Sequence, residues 1–160
     1  MKTIYISGPI TDLTTGQPRE GWQKDFLDAE QHLRNMGFNV LNPVDIAREV
    51  EMTDPRPTRS TYILACLHRM KVSYTYDHLH GVYVICSDYH PLTEELIFRS
   101  DGVMMELHMA HVFGIPIFAQ FYEDNEIDIH LLRVKDGKRL LDNGDFGREN
   151  WSEKAVLRLY

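Results

Sequence analysis

A carboxylate interrupts an apolar run in the segment SDGVMMELHMAHVFGIPIF, residues 100–118. Read as a helix, this segment puts Glu106 on one face with Val103, Met109, Ala110 and Phe113, at spacings of three, four and seven. An acid on such a stripe is either desolvated at a cost or aimed into a cavity. Buried acids with displaced pKa values concentrate at functional sites, so Glu106 is a candidate for chemistry. Six residues earlier, Ser100-Asp101-Gly102 combines a capping serine, a first-turn acid and a glycine that permits close approach. The free N–H groups and dipole of a helix start also attract anions. A plain cap is the simpler reading of those three residues alone. Neither GxxxxGK[ST] nor GxGxxG occurs in the chain.

Other side chains are weaker candidates. His108 and His111 stand three apart on the same expected helix, and His78 and His80 precede an apolar strand. HExxH is absent and no spacing specifies a third ligand, so ordinary histidines are expected rather than zinc. Tyr5 lies in the first strand, where its hydroxyl could reach a ligand, although strand tyrosines are more often core. Cys66 and Cys86 lack close metal-type spacing and argue against a disulfide framework. Reduced thiols in a cytoplasmic protein are expected.

The elements that must position these residues alternate in type. Residues 2–6, Lys-Thr-Ile-Tyr-Ile, form a β-branched and aromatic strand that ends at Ser7-Gly8-Pro9. A Thr/Gly/Pro-rich loop follows. Trp22, Phe26, Ala29, Leu33 and Met36 then mark an amphipathic helix stopped by Gly37. Phe38 to Leu41 is a short strand, and Asn42-Pro43 starts a helix with proline at its first position, running to about Glu51. Ser60 is the expected cap of a third helix reaching about Lys71. Gly81 to Cys86 reads as a buried strand, Ile115 to Phe121 as another, with the Glu106 helix between them. His130–Val134 and Lys138–Leu141, joined through Asp136-Gly137, suggest a hairpin, and residues 151–159 a closing helix.

Such alternation implies an α/β Rossmann- or flavodoxin-like three-layer sandwich, with a mostly parallel sheet and a C-terminal hairpin. For strand order 2-1-3-4 the order reverses between strands one and three, where ligands bind beyond the carboxyl ends. Ser7-Gly8-Pro9 and residues 87–100 then face the crevice. The 160 residues read as one domain, with a core over 1–121 and an extension over 122–160. A net charge of -7 argues against a nucleic-acid partner while leaving room for a local phosphate pocket. No apolar run reaches the ~18 residues of a membrane span, and MKTIYISG reads as a strand rather than a signal peptide.

Three pieces together carry a resemblance: IYISGPIT at the start, FNVLNP after the first helix, and S-x-G-V-x-x-E-L followed by A-x-x-x-G-I-P. In order and spacing, over about residues 3–118, they resemble the nucleoside 2-deoxyribosyltransferase superfamily. The nearest branches are the deoxynucleoside 5'-monophosphate N-glycosidases and an uncharacterised phage and bacterial group. The resemblance implies that Glu106 is the nucleophile, that Tyr5 assists it, and that Ser100 helps hold phosphate beside Gly102. Ser7, Gly8 and Pro9 would form the substrate turn. It further implies N-glycosidic cleavage or transfer on a nucleoside or nucleotide, with no metal or organic cofactor required, in a homodimer or higher homo-oligomer. The alternative is a nucleotide-binding or sequestering protein without turnover.

One departure matters. The family's pattern has an aspartate in the helix before the third strand. Counting back from Gly81 places Ser73 there, and aligning on Tyr-x-x-x-Asp places Cys66 there. Neither is an acid. Asp77 is the nearest carboxylate, and Asp88 follows the third strand; either is a candidate to substitute.

Overall fold

Side-chain alternation along β1 (Thr3–Ser7) sets out the layers. Ile4 and Ile6 face α1 (Trp22–Asn35), packing with Phe26, Ala29 and Leu33. Tyr5 faces the opposite side, in a second cluster with Cys66, Met70, Val103 and Leu107. A helical layer therefore covers each face of the sheet. In full, β1 and α1 are followed by β2 (Asn39–Leu41), α2 (Pro43–Thr53), α3 (Arg59–Tyr76) and β3 (Leu79–Ile85). Then come α4 (Asp101–Val112), β4 (Ile117–Glu123) and β5 (Glu126–Leu131). The computed structural model describes residues 1–12, 15–76, 78–85, 100–123, 126–132, 155 and 157.

The sheet order is β2-β1-β3-β4-β5, parallel through β4, with β5 antiparallel to β4. The expected fold class and the reversal of strand order beside β1 are both present. β3 is buried on both faces and nearly all apolar, as a central parallel strand must be. Two details tie β1 to its neighbours. The pairing with β3 shifts register between Thr3 and Ile4, and there the Thr3 N–H donates to His80 Nδ1 at 3.1 Å. At the end of β2, buried Asn42 caps α2 by accepting from the Val44 N–H at 3.0 Å, while its amide donates to Glu30 of α1 at 2.7 Å.

Several boundaries differ from the sequence reading. Thr58, not Ser60, caps α3: the Thr61 N–H donates to Thr58 Oγ1 at 3.3 Å and the Thr58 N–H to Thr61 Oγ1 at 3.1 Å. That reciprocal arrangement is a capping box built from two threonines. The helix also runs past Lys71 to Tyr76, because Cys66, Met70 and Ser73 continue one buried stripe. The hairpin is formed by β4 and β5, so His130 belongs to a strand paired with Ala119 rather than to a later hairpin. Residues 133–141 of the expected hairpin lie outside the described residues. In the segment expected as a closing helix, Ala155 and Leu157 are not helical, and the Ala155 N–H crosses to the Ile129 carbonyl at 2.7 Å. The rest of 151–159 lies outside the described residues. No helix among the described residues is long and apolar enough to cross a membrane.

Candidate functional site

Glu106 is buried, 8% exposed, on the sheet-facing side of α4. It forms part of the wall of a cavity of about 440 Å³, which lies between the turn after β1, the start of α1, the length of α2 and the N-terminal halves of α3 and α4. That volume is in the range of small-ligand sites. The Tyr5 hydroxyl donates to Glu106 Oε1 at 2.9 Å, joining residues 101 positions apart in the chain. Tyr5 has no exposure at all, so it is a core residue whose polar end serves the cavity wall. The core reading of this tyrosine holds, and its hydroxyl is spent on Glu106.

Burial dominates the electrostatics here. It raises the Glu106 carboxyl to about 7, against the opposing pull of the Ser7 and Tyr5 hydroxyls. Ser7 is fully buried and faces Glu106 closely enough to favour its charge. Its contact falls short of a hydrogen bond, and the hydroxyl has no partner among the described residues. Burial, and then the Glu106 charge, push the Tyr5 hydroxyl well above its ordinary value. The same two causes push the Cys66 thiol up to about 12. Tyr5 and Cys66 therefore keep their protons at neutral pH, while Glu106 changes charge there.

The turn after β1 is held tightly. A side chain on Gly8 would bring its Cβ within 3.1 Å of Phe26 and 3.4 Å of Ile85, so any larger residue there presses on both neighbours. Pro9 is buried and does not reach the cavity; its carbonyl accepts from Arg19 Nε at 2.8 Å. Across the cavity, Ser100 caps α4 by accepting from the Val103 N–H at 3.4 Å. Gly102 lines the wall, and a Cβ there would make only an ordinary 3.7 Å contact with Ile63. Packing within the chain thus does not demand glycine at 102.

The two alignments of the family's aspartate part company here. Ser73 is buried in α3 away from the cavity, whereas Cys66 lines it beside Tyr5 and Glu106. Asp77 and Asp88 lie outside the described residues. Among the described residues, no group of three or more His, Cys, Asp and Glu side chains could hold a metal ion.

Sequence reasoning missed Arg59, Glu51, Tyr62 and Trp22, which all line the cavity. Arg59 donates to Asp101 Oδ2 at 3.1 Å, which sets its guanidinium beside the N-terminus of α4. Tyr62 donates to Glu51 Oε1 at 3.2 Å, linking α3 to the end of α2. Trp22 meets Phe26 edge-on, with centroids 5.6 Å apart and planes at 85°. The one available signal was spacing: Arg59, Tyr62, Ile63 and Cys66 fall at three, four and seven along α3, a single stripe. No protein-family model matches the chain, and no curated protein or solved structure does.

Proposed function

We propose that the protein cleaves or transfers the N-glycosidic bond of a nucleoside or nucleoside 5'-monophosphate, with Glu106 as nucleophile. The observation that carries this reading is the buried Tyr5–Glu106 hydrogen bond in the wall of a nucleotide-sized cavity. It agrees with what the resemblance to the nucleoside 2-deoxyribosyltransferase superfamily implies. In the first step a Glu106 oxygen bonds to C1' of the sugar as the C1'–N bond breaks, and the base leaves with the electron pair. Water, or an acceptor base, then attacks C1' and releases Glu106. Tyr5 aims the carboxylate through its hydrogen bond. The negative charge of Glu106 stabilises the oxocarbenium-like transition state most in a dry site. The α4 N-terminus at Ser100 and Gly102, with the Arg59 guanidinium, would hold a 5'-phosphate.

A second reading is a nucleotide-binding protein without turnover. Cys66 favours it, because a neutral thiol stands beside Glu106 where a second acid would serve a departing base. One experiment separates the two. The protein and its Glu106→Ala variant are incubated with deoxy- and ribonucleosides and their 5'-monophosphates, and free base is measured. Release by the intact protein that falls at least a thousandfold in the variant supports the enzyme. Calorimetric binding with no release in either form supports the binding protein. Under the same resemblance the chain would self-associate, covering the exposed Met105, Val112 and Phe113 of the α4 face, and sedimentation velocity measures that directly.

A further inference from the structure

The cavity wall carries charges that a neutral nucleobase does not need. α3 acts as a ruler along it: from Arg59 to Cys66 is seven residues, or about 10 Å at the helical rise. At one end the Arg59 guanidinium stands beside the α4 N-terminus, a place for an anionic arm. At the other end, among the described residues, Glu106 is the one carboxylate, with a phenol and a thiol as its neighbours. On the α2 side, the Glu51 carboxylate is fixed by Tyr62, and the Trp22 indole, held edge-on to Phe26, faces the same cavity. A carboxylate and two aromatic rings are the surroundings that a cationic ring prefers.

The chemistry of the leaving group points the same way. A neutral base departs from C1' as an anion unless an acid protonates it. A base already carrying a positive charge on its ring, such as a pyridinium or an N7-alkylated purine, departs neutral. The C1'–N bond breaks, its electron pair cancels the ring charge, and no proton is required. Glu106 supplies the new bond to C1', and water completes the hydrolysis. The Cys66 thiol then has only to pack beside the nucleophile, not to donate a proton.

We infer that the substrates are N-glycosides of cationic heterocycles bearing a 5'-phosphate, with Glu51, Tyr62 and Trp22 receiving the charged ring. This rests on the proposed glycosidic chemistry and narrows its substrate class. Glu51 and Trp22 are specificity-determining residues in this assignment, since they act on the departing base.

The test compares nicotinamide mononucleotide and N7-methyldeoxyguanosine 5'-monophosphate with deoxyguanosine 5'-monophosphate. Each release rate is taken relative to Glu106→Ala, which removes the greater intrinsic lability of the cationic compounds. The expected result is an enzymatic excess for at least one cationic compound a hundredfold or more above that for the neutral one. Calorimetry of the same three ligands should show Glu51→Gln weakening the cationic ligands by about tenfold and the neutral one by less than twofold. Cys66→Asp should raise release from the neutral nucleotide at least tenfold relative to release from the cationic ones. Equal excess for neutral and cationic ligands, or equal loss of both in Glu51→Gln, overturns the assignment while leaving the glycosidase intact. No Glu106-dependent release from any ligand, cationic or neutral, overturns both.

Discussion

At the scale of single residues, Glu106 was legible because its surroundings contradicted it: an acid on a stripe of Val, Met and Ala must have a reason. Tyr5 was legible as a candidate for a related reason, since a strand that ends at a Ser-Gly-Pro turn delivers its last side chains to a crevice. Arg59 and Glu51 were not legible. Each is an ordinary exposed charge in sequence, and only the packing of α3 between α2 and α4 brings both to one cavity. The carboxyl of Glu106, raised by burial to about 7, sets a consequence for catalysis. Under the proposed chemistry the nucleophile must be ionised, so the rate of base release should rise with pH through about 7 and level off above it. A pH–rate profile checks this, and a rate independent of pH between 5 and 9 would remove Glu106 from the nucleophile's role. Tyr5→Phe, which removes a donor to the charged form, should move that limb to higher pH.

At the scale of elements, the strands and the helix around Glu106 followed from β-branched runs, periodic apolar positions and caps. The α4 boundaries were nearly right because Ser100 and Gly114 mark them chemically; Gly114 has a φ of 68°, in the left-handed region. The α3 boundaries were not, because threonines at 58 and 61 cap each other only once both are folded. The turn from α3 into β3 holds a feature that no pattern announces. His78 adopts a φ of 55°, the one non-glycine residue with positive φ among those described. The left-handed conformation costs an L-residue roughly 1–2 kcal/mol. Glycine removes that strain but adds freedom to the unfolded chain. His78→Gly should therefore stabilise the protein by about 0.5–1 kcal/mol, read as a shift in the urea midpoint. Loss of stability would mean that the imidazole makes a contact worth more than the strain. By contrast, a Cβ on Gly81 would lie 3.0 Å from both Ile4 and Phe118. Gly81→Ala should cost about 1–3 kcal/mol by overpacking the layer beneath α1, with the same measurement as its check.

At the scale of the whole molecule, the sheet order was inferable because right-handed crossovers leave few ways to arrange alternating strands and helices. The cavity's place at the reversal of order followed with it. Its charge layout did not, since that depends on which end of each helix meets which neighbour. The buried carboxyl also affects the folding equilibrium. In the folded chain Glu106 holds its proton up to about 7, against an ordinary value of 4.5. Its contribution to stability is therefore largest below pH 4.5, declines as the pH rises to about 7, and is constant above. The decline amounts to about 3 kcal/mol at 1.36 kcal/mol per pH unit. Glu106→Gln cannot ionise and escapes it. Relative to the intact protein, the variant should gain roughly that much stability between pH 4.5 and pH 8, measured by denaturant unfolding at both. A gap between the two proteins that does not change with pH would show that Glu106 titrates normally. Such a cost at neutral pH is what a site kept for chemistry is expected to carry.

The hydrogen bond from Ala155 to Ile129 has a meaning for the molecule's solubility in company. Among the described residues β5 is the last strand of the sheet, and an open edge offers its backbone groups as a template on which a foreign strand can grow. By giving the Ile129 carbonyl a donor from its own chain, the protein occupies part of that template itself. The Ala155 backbone thus acts as a guard on this border of the described sheet, a duty separate from anything that happens at Glu106.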